Sequence, residues 1–82
     1  MEIKYVVIDK LFTFGNIQTI FIFPGWVDHK EFCDLNANEG EKILSAGFVD
    51  LNTKSCYGKS SSLGISANPK QDDIFLSIMY DK

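Results

Sequence analysis

The clearest pattern in the chain is a stretch of strand-forming and aromatic residues near its N-terminus. Residues 3–9 are rich in β-branched and aromatic side chains, which is typical of a strand. Four of the seven phenylalanines then lie between positions 12 and 23. Gly15 and Asn16 both tolerate positive φ, so they predict the tight turn of a β-hairpin. Alternation places two apolar sets on opposite faces: Phe12, Phe14, Ile17, Phe21 and Phe23 on one, and Tyr5, Val7, Leu11, Ile20 and Ile22 on the other.

Capping residues predict two helices. The first begins after Asp28, an N-cap that forms a capping box with Glu31, and it ends near position 36. The second has Asn68 as its N-cap and Pro69 as its first helical residue, with Gln71 closing a second box. Apolar residues at helical spacing predict the buried stripe of the second helix, namely Ile74, Phe75, Ile78 and Met79.

Two further strands are predicted between the helices, over residues 43–51 and 55–65. The pattern as a whole predicts a single α+β domain over residues 1–82. Its four-stranded, mainly antiparallel sheet would follow a ββαββα order, with two helices packed on one face. The other face of the hairpin would then have no cover within so short a chain, so a second chain is expected to cover it.

Charge excludes several classes of partner. The chain carries a net charge of −3, has no arginine, and spreads its eight lysines along its whole length. Nucleic-acid binders show a basic stripe or patch, so neither nucleic acid nor an anionic membrane is expected as a partner. The apolar run at residues 20–23 is far shorter than a membrane span of roughly 20 residues. Because Met1 leads directly into a strand, we expect a cytoplasmic protein with reduced thiols.

The candidate chemistry rests on three residues. His29 and Cys33 stand four apart on the first predicted helix, and Cys56 lies in a later strand. One histidine and two cysteines are too few for an ordinary zinc site, so no metal and no cofactor are expected. A small thiol-dependent or redox-active enzyme using Cys33 or Cys56 with His29 is the alternative function. The favoured reading is that no residue is catalytic, with His29 exposed and Cys33 a small buried apolar residue.

The favoured function is a non-enzymatic binding or interaction module that self-associates as a homodimer through an apolar sheet surface, either the open sheet face or the edge of the hairpin. A further protein or a small apolar ligand remains open as a partner. Aromatic residues are enriched at interfaces, so Trp26 with two tyrosines is a candidate lining of a small ligand cleft, whereas the favoured interpretation is that Trp26 packs as a lid over the edge of the core. The interface candidates are Phe12, Phe14, Ile20, Phe21, Ile22 and Phe23, and the pocket candidates are Trp26, Tyr57 and Tyr80.

The second half of the chain carries a resemblance. Ser-Ala-Gly-Phe-Val at 45–49, Cys-Tyr-Gly at 56–58 and Ser-Ser-Leu-Gly-Ile at 61–65 are followed by Pro69 and Asp72. This order resembles small uncharacterised bacterial orphan proteins of the kind carried on mobile elements such as integron gene cassettes. The resemblance implies no activity and no site residues.

Overall fold

The chain begins with a long antiparallel hairpin. In the computed structural model, which describes residues 2–80, β1 (Ile3–Phe12) pairs along its whole length with β2 (Gly15–Pro24). Thr13 and Phe14 form the turn, and Gly15 follows at φ 136°, where glycine has no steric penalty. The predicted turn lies two residues later and is wrong. Because side chains alternate with a period of two, the strand residues nevertheless keep their predicted faces.

One four-stranded antiparallel sheet organises the domain. Its strand order is β2-β1-β3-β4, where β3 is Lys42–Asp50 and β4 is Ser55–Tyr57. β3 has one extra residue, Leu44, between the partners of Val7 and Ile8, and it bulges there. The predicted α+β class with a four-stranded antiparallel sheet is confirmed.

The fourth strand is much shorter than the sequence predicts. Gly58, at φ 79°, turns the chain out of the sheet directly after Tyr57. The following residues form a separate small antiparallel sheet, in which β5 (Lys59–Ser60) pairs with β6 (Ile65–Ser66). The element order therefore departs from a plain ββαββα, because two short strands precede the last helix.

The two helices pack on different residues of the central strand. α1 (His29–Asn36) packs through Cys33 on the even-numbered residues of β1, and α2 (Pro69–Tyr80) packs through Leu76 on the odd-numbered ones. Successive side chains of a strand point to opposite faces, so the helices lie on opposite faces, and the prediction of one shared face is not confirmed. The α1 cluster is Val6, Ile8, Phe23, Cys33 and Ala46, and the α2 cluster is Tyr5, Val7, Ile20, Val49, Cys56 and Leu76.

This arrangement covers the base of the hairpin from both sides within one chain. Phe23 is buried in the α1 cluster, where its ring stacks on Phe32 at a centroid distance of 4.1 Å. Ile20 is buried in the α2 cluster on the other face. The hairpin therefore does not leave one whole face open, as the sequence had indicated. Its most exposed apolar side chains lie at its tip.

The helix starts are predicted correctly, but their capping hydrogen bonds are not. α1 begins after Asp28 as expected, yet the Asp28 side chain makes no capping hydrogen bond. Before α2, the backbone N–H of Asn68 donates to the carboxylate of Asp72 at 2.9 Å. Asp72, one residue beyond the predicted Gln71, thus accepts the backbone N–H of the N-cap, while the Asn68 side chain donates to Gln71 Oε1 at 3.3 Å.

A largely covered ion pair joins the outer half of the hairpin to the start of β3. Lys10 Nζ lies 2.7 Å from Glu41 Oε1, and the side chain of Glu41 is almost fully covered. The same carboxylate accepts the backbone N–H groups of Asn38, at 2.7 Å, and of Leu11, at 2.8 Å. The hydrogen bond from Lys10, followed by those from Asn38 and Leu11, lowers the pKa of Glu41 to about 2.

Glu41→Gln is therefore expected to lower stability in a pH-dependent way. A carboxylate whose pKa is depressed in the folded state stabilises that state above its unfolded pKa, and this contribution is lost as pH falls through the folded value. The difference in urea midpoint between wild type and Glu41→Gln should be largest above about pH 4.5 and shrink towards pH 2. A difference that stays constant across this range would contradict the assignment.

Candidate functional site

An exposed apolar surface lies at the end of the hairpin. We call this surface the hairpin tip. Phe14 is 77% exposed in the turn, and its ring stacks on that of Phe12 at a centroid distance of 5.6 Å and an interplanar angle of 15°. Exposed apolar groups that lie together mark interaction sites more often than isolated ones do. The hairpin tip comprises Leu11, Phe12, Phe14 and Ile17, all of them exposed.

The six predicted interface residues divide by position along the hairpin. Phe12 and Phe14 are exposed at the tip. Ile20 and Phe23 are buried against the chain's own helices, so their side chains are not available to contact a partner. Phe21 and Ile22 are partly buried, Phe21 against α1 and Ile22 on the α2 side. The burial of the lower hairpin by two helices on opposite faces is the reason for this division.

An apolar cleft lies at the other end of the sheet, where the strands leave the hairpin base. We call it the base cleft. Its volume is about 250 Å³, and the Trp26 side chain beside it is 76% exposed. The base cleft is lined by Ile3, Ile22, Phe23, Pro24, Trp26 and Leu51.

A second, more polar depression adjoins the base cleft and shares Ile3 and Leu51 with it. It has a volume of about 450 Å³ and is lined also by Asp50, Asn52 and Tyr57. The structure thus places Trp26 and Tyr57 in neighbouring depressions on either side of Leu51. The third predicted pocket residue, Tyr80, has its side chain outside the described residues.

The histidine and the two cysteines are all buried. His29 is buried, which corrects the expectation of an exposed residue, because its Nε2 atom lies 2.8 Å from the carbonyl oxygen of Gly47. Its ring also meets the rings of Phe23 and Phe48 edge-on. Burial lowers the pKa of His29. The His29 ring therefore packs in the core and makes one hydrogen bond to the backbone.

The two cysteines lie in different clusters, on opposite faces of the sheet. Cys33 is buried under α1 and Cys56 under α2, and both are free thiols. Burial raises the pKa of Cys33. Burial and the neighbouring carboxylate of Asp73 raise the pKa of Cys56 to about 12. Since the thiolate is the nucleophilic form, both residues are poorly placed for thiol chemistry near neutral pH.

Both cysteines are accordingly expected to resist modification in the folded protein. A soluble disulfide reagent near neutral pH should label the native chain at least about a hundredfold more slowly than the urea-unfolded chain, because burial and the raised thiol pKa both oppose attack. The number of thiols labelled on unfolding should be two. Rapid labelling of one thiol in the native state would contradict this expectation and favour the thiol-dependent function.

A buried polar pair that the sequence did not predict links β1 to α2. The Tyr5 hydroxyl donates to Asp72 Oδ2, and both side chains are fully buried. Burial, followed by the hydrogen bond to Asp72, raises the pKa of Tyr5. The signal was present in the sequence, since Asp72 and Leu76 lie one helical turn apart and share a face. An aspartate near a helix start is usually a solvated charge, so the sequence alone does not indicate that Asp72 is buried.

Within residues 2–80, no group of three His, Cys, Asp or Glu side chains is arranged to hold a metal ion. Over the same residues, no helix has the length and apolar character that crossing a membrane requires. Comparisons with protein-family models, curated proteins and solved structures found no match to this chain. The hairpin tip and the base cleft are thus the two surfaces whose geometry bears on function.

Proposed function

We propose that this protein is a non-enzymatic interaction module of the cytoplasm that self-associates through the exposed part of its hairpin. The observation that carries the proposal is the hairpin tip, where stacked Phe12 and Phe14 project beyond both helices. Fully burying one such side chain is worth roughly 1.5–3 kcal/mol, so leaving several in water is costly unless a partner covers them. The tip is therefore a surface that association would stabilise.

The thiol-dependent alternative is disfavoured by the same structure. Its three residues are buried, and the two thiols lie on opposite faces of the sheet. The raised thiol pKa values remove the thiolate that such chemistry needs.

A small apolar ligand is a second candidate partner, favoured by one observation. The base cleft presents an almost wholly apolar lining beside exposed Trp26, and its volume of about 250 Å³ lies just below the usual range for ligand pockets. Fluorescence of Trp26, the single tryptophan, provides the test, because a ligand in the cleft should shift its emission to shorter wavelength. An emission spectrum unchanged by saturating apolar probes would contradict this second function.

Sedimentation equilibrium from micromolar to near-millimolar concentration tests the proposal directly. The wild-type chain should approach twice its monomer mass of 9.3 kDa. Phe14→Ser should raise the dissociation constant at least about tenfold, because a dimer loses two buried phenylalanine rings. Leu35→Ser is the control for loss of an exposed apolar side chain outside the tip, since Leu35 is exposed on α1, and it should raise the dissociation constant less than Phe14→Ser does. A wild-type monomer at every concentration would overturn the proposal.

A further inference from the structure

β2 forms one edge of the sheet, and it is exposed over residues 15–18 and again at Pro24, whereas Ile20 is buried. β2 is the end strand of the four-stranded sheet and, among the described residues, it pairs only with β1. The opposite edge strand, β4, is only three residues long, whereas β2 has ten. An exposed strand edge presents a row of unpaired N–H and C=O groups to any extended chain that approaches.

The alternation of hydrogen-bonding direction along the hairpin shows which backbone groups of β2 point away from β1. Leu11 of β1 donates its N–H to Glu41, at the start of β3, so its backbone points away from β2. Leu11 pairs with Asn16, and hydrogen-bonding direction alternates along an antiparallel ladder. The even-numbered residues of β2 therefore point their N–H and C=O groups outward. These residues are Asn16, Gln18, Ile20 and Ile22, followed by Pro24, which has no N–H.

This edge lacks the features that keep other edges from pairing. β2 contains no charged residue, and its single proline is its last residue. Its pairing with β1 is continuous, with no bulge to bend it away. Natural edge strands are usually protected by lysines, prolines, bulges or a covering element. β2, by contrast, has a long and regular edge of the kind that pairs.

We infer that a second copy of this chain occupies the edge, with two β2 strands antiparallel across a two-fold axis that passes beside Thr19. The inference deepens the proposed function and rests on it. An antiparallel strand pair is self-complementary, which is what a two-fold dimer requires, and the absence of charge removes any like-charge repulsion between the strands. The result is a continuous eight-stranded sheet, four strands from each copy.

The register of the two β2 strands follows from pairing their outward-facing N–H and C=O groups. With Thr19 opposite Thr19 of the partner subunit, Asn16 faces the partner's Ile22 and Gln18 faces the partner's Ile20. Each such pair exchanges two N–H···O bonds, and every outward N–H of β2 finds an acceptor. Shifting the axis to Ile20 would place Pro24 in the ladder, where it has no N–H to donate and its oxygen already accepts from Val27.

The same register brings the exposed apolar surfaces together. Half-exposed Ile17 falls opposite the partner's Phe21 on the α1 face, an apolar pair of the kind that stabilises sheets. Because the hairpin tip and the base cleft lie at opposite ends of β2, the two-fold axis sets the tip of one copy beside the base of the other. Phe14 then falls opposite the partner's Pro24, next to the base cleft.

Cysteine cross-linking tests the register. Residues opposite each other in a non-hydrogen-bonded antiparallel pair have Cα atoms about 4.5 Å apart, within disulfide range. Thr19→Cys should therefore form an interchain disulfide in nearly quantitative yield on mild oxidation. In Ile17→Cys the two new thiols would lie about 14 Å apart in the dimer and should remain reduced. Equal cross-linking of both variants, or none for Thr19→Cys in a dimeric sample, would overturn the inference.

Proline substitution tests the edge itself. Gln18→Pro removes one outward N–H while leaving the bonds to β1 intact, so the monomer should stay folded and the dissociation constant should rise at least about tenfold. Gln18→Ala keeps the N–H and should associate like wild type. If wild type is dimeric and Gln18→Pro associates equally well while retaining its circular dichroism spectrum, the edge is excluded but self-association stands. If wild type is monomeric, the proposed function fails as well.

Discussion

Leu76→Ala is expected to lower the free energy of unfolding by about 2–5 kcal/mol, the cost of removing a leucine from a packed core. Leu76 is fully buried and packs on Tyr5 and Val7 of the central strand. The whole domain is expected to be stable by only about 4–12 kcal/mol, from the usual 0.05–0.15 kcal/mol per residue. One truncation would thus remove a large part of the total. Urea unfolding followed by circular dichroism measures the change.

Ile78→Ala is the matched control for this experiment. It lies on the same helix and loses a side chain of the same size, but Ile78 is 72% exposed. Its expected cost is within about 0.5 kcal/mol, as for other surface substitutions. Equal effects of the two variants would mean that α2 presents the face predicted from its apolar stripe. An effect of Ile78→Ala larger than that of Leu76→Ala would contradict the packing described here.

Asp72→Ala is expected to cost about 2–4 kcal/mol, because it leaves the buried Tyr5 hydroxyl without an acceptor and removes the cap at the exposed start of α2. The Tyr5 hydroxyl and the backbone N–H of Asn68 are both bonded to Asp72 Oδ2. Tyr5→Phe removes only the hydroxyl and leaves Asp72 its bond from Asn68, so its expected cost is smaller, about 1–3 kcal/mol. Chemical denaturation of both single variants and of the double variant gives the coupling between the two side chains.

The double variant separates the hydrogen bond from general effects of truncation. In Tyr5→Phe/Asp72→Ala the Tyr5 donor is gone, so the expected cost falls below the sum of the two single costs by at least about 1 kcal/mol. Asp73 is a neighbouring acidic residue with a different partner, the backbone N–H of Cys56 at 2.7 Å. Asp73→Ala should therefore show no coupling to Tyr5→Phe. Strict additivity of Tyr5→Phe and Asp72→Ala would show that the pair contributes nothing specific.

Both experiments test which side of α2 faces the sheet, that is, the rotation of this helix about its axis. Ile74, Phe75, Ile78 and Met79 form an apolar stripe, yet the helix buries Asp72 and Leu76 instead, with Phe75 at the margin. The hydrogen bonds of Asp72 to Tyr5 and of Asp73 to β4 hold that rotation. Hydrophobic burial is non-directional, whereas these bonds require one orientation, and so the polar contacts select the buried face.

The placement of the helices also explains which part of the hairpin remains available to a partner. With one helix on each face, the lower hairpin is buried on both sides, and only the tip and the β2 edge lie open. The sequence correctly indicated a hairpin apolar on both faces. It did not indicate that a chain of 82 residues would divide its two helices between those faces. Of the two interfaces that the sequence left open, a whole sheet face and the edge of the hairpin, the proposal therefore retains the edge, together with the tip.

Local features were predictable wherever neighbouring residues decide them. Alternation and β-branched content determined the two strands of the hairpin and their faces, and the residues at Asp28 and Asn68 marked both helix starts. The position of the turn was not predictable in this way, because Gly15 suits both the predicted turn and the observed one that it closes. The register is determined instead by the long pairing of β1 with β2 and by their burial under the helices.

By itself, the sequence determined the α+β class, the antiparallel hairpin, the two helix starts and the apolar excess of the first twenty-four residues, since each depends on residues close together in the chain. The tertiary structure alone decided which face each helix covers, which stripe of α2 is buried and which polar groups meet in the core. It also decided that both thiols are enclosed. The physical reason is that burial and hydrogen-bond partners are properties of residues distant in sequence, as Tyr5 and Asp72 show.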